Sequence, residues 1–163
     1  FAIHPSGRLM ASCGRDLRIR LWDMTRGTAA AQISTEEPAE ALSWGPTGTH
    51  LSAVSPRELV VVEADKGTVA TYKEANAAGG SGIAQRVTLT AAMLLLDHAA
   101  LLGDSVGVLR VLALAQGGTE LKEVCRLAPD AKSEARGRVK ALARAPAAGG
   151  AGLLFAAGMS SGL

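Results

Sequence analysis

The chain has 163 residues, 48% hydrophobic and 20% charged, with a formal net charge of +2. That length and balance suit one folded domain with a real core. So small a basic excess, with aromatics at 3%, argues against a surface built for phosphate contacts or base stacking, so that any contact with RNA is weak or indirect.

The first unit begins with a short apolar run, Phe1 to Ile3, before the Pro/Gly turn HPSG at 4–7. A small-residue strand, LMASC, leads through the tight turn GRD into an alternating strand. Leu17, Ile19 and Leu21 fall on one face of that strand and Arg18, Arg20 and Trp22 on the other. The turn MTRG then precedes a last strand. A second unit repeats the rhythm: GPTG at 45–48 echoes HPSG 41 positions on, and DKGTVATYK at 65–73 echoes TRGTAAAQI 40 positions on. LVVVE at 59–63 takes the place of IRLWD at 19–23, and a looser copy, LRVLA, follows at 109–113. The longer third interval contains ANAAGGSG at 75–82, which reads as a flexible surface linker. A fourth unit opens at RVKALARAP, 138–146.

Four short antiparallel strands in some forty residues make a β-propeller blade, and a terminal WD marks the WD-repeat type. The expected fold is therefore all-β, an incomplete WD-repeat propeller of about three and a half four-stranded blades. The blade units run 1–36, 37–74, 83–127 and 137–163, joined by the linker 75–82. At an offset of 144, Leu163 falls on Ile19, which reads as a unit cut short. A basic amphipathic helix over SEARGRVKALARA, 133–145, competes on composition, but Gly137, Pro146 and the repeat register favour an inner strand.

A WD blade is tied by a buried hydrogen-bond network, and such a network stabilises only when every member has a partner. Here Ser12, Asp16 and Trp22 occupy its positions, and the histidine of the pattern would lie upstream of Phe1. Val62 and Leu112 replace the tryptophan in the next two units, so apolar packing is expected to hold those blades.

Nothing among the candidate chemistries is persuasive. GMSSG at 158–162 matches G-x-S-x-G with Ser160 as nucleophile, but that elbow needs a strand before and a helix after. The repeat register puts Ser160 in a hairpin turn instead. Asp97 and His98 are adjacent, and neighbours on a strand point apart, so they read as turn polarity. His4 and His50 stand alone, without ligand partners at metal spacing. GGSG lacks the lysine of a phosphate loop. No catalytic, cofactor or metal residue is assigned. Arg15, Arg18, Arg20 and Arg26 form the densest basic cluster, a solvated face by default and a partner contact otherwise.

Cys13 and Cys125 are 112 positions apart, neither a disulfide framework nor a zinc spacing, which suits the cytosol or nucleus. The apolar run LTAAMLLLDHAALLG is broken by Asp97 and His98, short of a membrane span, so no membrane association is expected.

The order of units adds a resemblance. IHPSGRLMASCGRDLRIRLWDMTRGTAA, then ALSWGPTG, a blade without WD, a loosened blade and GRVKALA together resemble the p21-activated-kinase-interacting WD-repeat proteins. The resemblance implies a non-catalytic scaffold in large ribosomal subunit (60S) assembly in the nucleus and nucleolus, with pre-ribosomal assembly factors as partners. It also implies inhibition of a p21-activated protein kinase as an alternative role. The family's histidine before the RVK strand is Ala135 here, so no binding residue is carried over.

Overall fold

The computed structural model describes residues 1–74, 87–114, 119–128, 137–144 and 155–161. The linker 75–82, the start of the third unit at 83–86 and the first residues of the competing helix, 133–136, lie outside them. Every regular element among the described residues is a strand. The first sheet is β1 (Ala2–Ile3), β2 (Leu9–Cys13), β3 (Arg18–Asp23) and β4 (Thr28–Ser34). The second is β5 (Ala41–Trp44), β6 (His50–Val54), β7 (Glu58–Glu63) and β8 (Gly67–Lys73). The third is β9 (Leu89–Leu96), β10 (Ala99–Asp104), β11 (Leu109–Leu114) and β12 (Leu121–Leu127). A pair, β13 (Gly137–Arg144) and β14 (Phe155–Ser161), belongs to a fourth.

Each sheet is ordered as its sequence, with antiparallel neighbours, and the first strands lie side by side: β1 against β5, β5 against β9, β9 against β13. That is the arrangement of propeller blades around inner strands. The repeat offsets survive as register, since Trp22 opposes Met10 while Val62 opposes Leu51 and Leu112 opposes Ala100. The segment 137–144 is strand throughout, as the repeat register requires.

The cores lie between blades rather than inside a closed shell. Ile19 and Leu21 of the first blade pack with Leu51, Ala53, Val60 and Val62 of the second. The opposite face of the second, with Val54, Leu59 and Val61, packs with Leu89, Leu102 and Leu112 of the third. Val139 of the fourth completes a further cluster with Ala91, Met93, Leu95 and Leu101. A strand with a blade on either side must be apolar on both faces, which accounts for the unbroken run LVVV at 59–62. Each leucine so buried contributes about 1.5–3 kcal/mol relative to exposure. Gly103 lets β13 approach, because a Cβ there would stand 2.6 Å from Val139 Cγ1. Thr90 Oγ1 bridges the same junction by donating to Val139 O at 2.7 Å.

Two expectations change. Leu17 precedes β3 and is exposed in the turn with φ 59, so it does not share the buried face of Ile19 and Leu21. The chain reverses within four residues there, and Leu17 is the one that takes the left-handed conformation. Ser160 lies inside β14, opposite Arg138, rather than in a hairpin turn. Pairing with β13 continues through Ser161, so ladder hydrogen bonds override the turn preference of Gly and Ser.

Candidate functional site

Sequential antiparallel strands send alternate turns to opposite ends of each blade. One end gathers the β1–β2 and β5–β6 loops and the β9–β10 turn. The other gathers the β2–β3, β6–β7 and β10–β11 turns with the β4–β5 connection, residues 35–40. These ends are where a propeller meets other molecules, because its loops are free of the packing that occupies its strands.

At the first end the loops of successive blades interlock. His4 Nδ1 is 2.8 Å from Ser6 Oγ, its Nε2 is 3.0 Å from Gly48 O, and its ring meets Trp44 edge-on at 4.8 Å. Trp44 Nε1 donates to Ala2 O at 3.2 Å, so the second blade's tryptophan anchors the first blade's inner strand. Gly48 has φ +81, and a Cβ there would lie 2.2 Å from His4 Nε2. Asp97 accepts from Thr47 Oγ1 at 2.5 Å and from Thr49 Oγ1 at 3.1 Å, with His50 Nδ1 3.6 Å away. Those hydrogen bonds, Thr47's foremost, hold the Asp97 carboxyl below its ordinary pKa. Asp97 and His98 do occupy a turn, and the partners of Asp97 come from the second blade. His4 and His50 are therefore not solitary; each has partners that sequence spacing does not disclose.

Of the proposed structural network, Ser12 and Trp22 meet: Trp22 Nε1 donates to Ser12 Oγ at 2.9 Å, both half-buried. Asp16 stands apart from them. It is exposed in the β2–β3 turn and accepts from Arg20 Nη2 at 2.5 Å, which holds its pKa down. The basic cluster is accordingly divided. Arg20 is tied to Asp16, and Arg18 Nη1 donates to Gln32 Oε1 at 3.2 Å. Arg15 is exposed in the same turn, whereas Arg26 lies at the far end of β3, beside Asp23.

The third blade holds a feature that the sequence reading missed. Asp104, fully buried, lies 3.0 Å from Nη2 of buried Arg110. Glu74 and Glu123 approach the same guanidinium at 3.3 and 3.4 Å. Asp104 Oδ1 also accepts from the amides of Val106 and Val108, both at 2.9 Å, fixing the β10–β11 turn. The guanidinium is held by ion-pair proximity more than by aligned hydrogen bonds, since Arg110 Nε and Nη1 and Asp104 Oδ2 lack hydrogen-bond partners among the described residues. This blade is thus held by a charge cluster as well as by apolar packing. A signal existed: an Asp and an Arg set in otherwise apolar strands must be paired, since lone buried charges are too costly.

Among the described residues no group of three or more His, Cys, Asp or Glu could hold a metal ion. No described helix is long and apolar enough to cross a membrane. Cys13 and Cys125 are free thiols. Ser160, paired inside a strand, lacks the strand–turn–helix setting of a nucleophile elbow.

Comparison with known proteins agrees with this architecture. No family model matches the chain. Over 68 residues it is 29% identical to the p21-activated protein kinase-interacting protein 1-like protein of Danio rerio and 26% identical to the human p21-activated protein kinase-interacting protein 1. Each match covers 42% of this chain but only 18% and 17% of those proteins, so the chain spans under a fifth of the curated relatives it matches. Among solved structures, U3-55K superposes with a TM-score of 0.62 at 14% identity, over 86% of this chain and 40% of that one. The WD40 repeats of RRP9 superpose with a TM-score of 0.63 at 15% identity, over 86% of this chain and 39% of that one. The chain forms blades of an incomplete WD-repeat β-propeller and is similar in sequence to the p21-activated protein kinase-interacting proteins.

Proposed function

We propose that the chain belongs to a non-catalytic protein-interaction scaffold serving assembly of the large ribosomal subunit in the nucleolus. The observation that carries the scaffold reading is that consecutive blades are tied to each other at both ends. The His4–Gly48 and Thr47–Asp97 contacts at one end, and Lys73 against Glu36 at the other, join neighbouring blades. Binding residues on loops held by a stiff scaffold suit docking of several partners. The ribosomal assignment is supported by the order of repeat units shared with the family it resembles. Pre-ribosomal assembly factors are the expected partners, with Arg15, Arg18 and Arg20 as a contact surface at the β2–β3 end, and Ser12, Trp22 and Asp16 in structural roles. Affinity purification of the full-length protein should recover large-subunit assembly factors and precursor RNA. Recovery of signalling proteins alone would overturn the assignment.

A second reading has its own support: the matched relatives are named for interaction with p21-activated protein kinase. Under it, purified protein would inhibit such a kinase in vitro without RNA. Absence of inhibition at saturating protein would dismiss it.

A further inference from the structure

The last strand of the first blade ends in a serine followed by acidic residues, STEEP at 34–38, with Glu40 just beyond. Ser34 is exposed on β4, the outer strand of its sheet, and its hydroxyl makes no hydrogen bond among the described residues. Thr35 beside it is half-buried and committed, donating from Oγ1 to Glu37 O at 2.8 Å. Exposure at this place does not depend on a blade being absent beside it. Lys73 holds the same place in the second blade, between two neighbouring blades, and its side chain is still 60% exposed.

Across the sheet, Ser34 is the register partner of Arg18, so the two side chains leave the same face. Arg18 is exposed, donates to the neutral Gln32 Oε1 at 3.2 Å, and has no carboxylate partner among the described residues. In the second blade the corresponding places are held by Glu58 and Lys73, whose charged groups approach to 3.9 Å. Side chains in these two places therefore come within ion-pair distance, and in the first blade only the cation is present. A phosphate on Ser34 would supply the anion.

We propose that Ser34 is a phosphorylation site for an acidophilic protein kinase, and that Arg18 holds the phosphate. The kinase transfers the γ-phosphoryl group of ATP to Ser34 Oγ. The new O–P bond forms, the bond to the leaving ADP breaks, and the hydroxyl proton passes to the kinase's base. Glu36 and Glu37, two and three residues on, present the negative charge that a basic substrate groove selects. Glu36 is tied to Lys73 by an exposed ion pair, which is easily given up. The phosphate brings a charge of about −2 at neutral pH, and the planar guanidinium of Arg18 can meet it with two parallel hydrogen bonds. The modification would reverse the charge balance at the β2–β3 end, and it stands whether or not the protein serves ribosome assembly.

The test is incubation of the full-length protein with ATP and casein kinase 2, a kinase that selects serines followed by acidic residues. Mass spectrometry of the digest should place a phosphate on Ser34, lost in Ser34→Ala. Glu37→Gln should slow its incorporation about tenfold or more. Thr35 bonds the main-chain carbonyl of Glu37, so that variant keeps the turn. Glu120→Gln, exposed on the third blade, should leave the rate unchanged. Phosphorus NMR of the product then reads Arg18. The second pKa of the phosphate should lie below its usual value of about 6 and return towards it in Arg18→Gln, a shift that a merely structural arginine would not produce. No phosphate on Ser34, phosphate on Thr35 instead, a parent-like rate in Glu37→Gln, equal slowing by the control, or the same pKa with and without Arg18 would each overturn the proposal.

Discussion

Leu17 sits where the backbone needs a residue without a Cβ. Its φ of 59 is matched by φ 87 at Gly107, which holds the corresponding place before β11. A left-handed leucine costs about 1–2 kcal/mol, and this one is exposed and recovers little by packing. Leu17→Gly should therefore stabilise the chain by up to about 1 kcal/mol, read from urea unfolding midpoints. Gly48 is the converse case, with φ +81 and the His4 ring where a side chain would go. Gly48→Ala should cost about 2–4 kcal/mol by strain and by displacing His4. The same unfolding series checks it; a loss below about 0.5 kcal/mol would mean that the loop relaxes freely. Neither effect was legible in the sequence. HPSG and GPTG announced turns, but which residue takes positive φ depends on the strand register on either side.

At the scale of elements, strands and their order were readable because apolar alternation and Pro/Gly turns recur at a nearly constant interval. Contacts between blades were not, since they join residues some forty or more positions apart. The partners of Asp97 show this: Thr47 and Thr49 come from the loop of another sheet. Their hydrogen bonds favour the ionised carboxylate, so its folded pKa lies below its unfolded one. The stability it contributes is present above the unfolded value and is lost as pH falls below about 4, through the lowered folded value. Thr47→Val should flatten the acid limb of stability against pH while leaving the neutral region nearly parallel to the parent. Denaturation midpoints between pH 3 and 7 would show it, and an unchanged acid limb would contradict the assignment. The buried pair in the third blade makes a larger prediction. Arg110→Met leaves Asp104 buried without its cation and should cost about 3–5 kcal/mol, whereas adding Asp104→Asn should recover part of that loss. If the single variant is nearly neutral, the pair is not buried as described.

Across the whole molecule, packing between blades is what holds the sheets together. Neighbouring blades bury apolar faces against one another, so the strands serve cohesion, and under the proposed scaffold role the loop ends serve recognition. Of the candidate surface, the arginines of β3 were visible in the sequence, but their division was not: Arg20 is taken by Asp16 and Arg26 lies at the opposite end. Under the proposed function, this propeller carries other molecules within a growing large ribosomal subunit. Sedimentation of the tagged full-length protein from nuclear extract tests that most directly. A peak with large-subunit precursor particles that moves to light fractions after ribonuclease treatment is expected. A protein found only in light fractions, bound to a kinase and indifferent to ribonuclease, would contradict it.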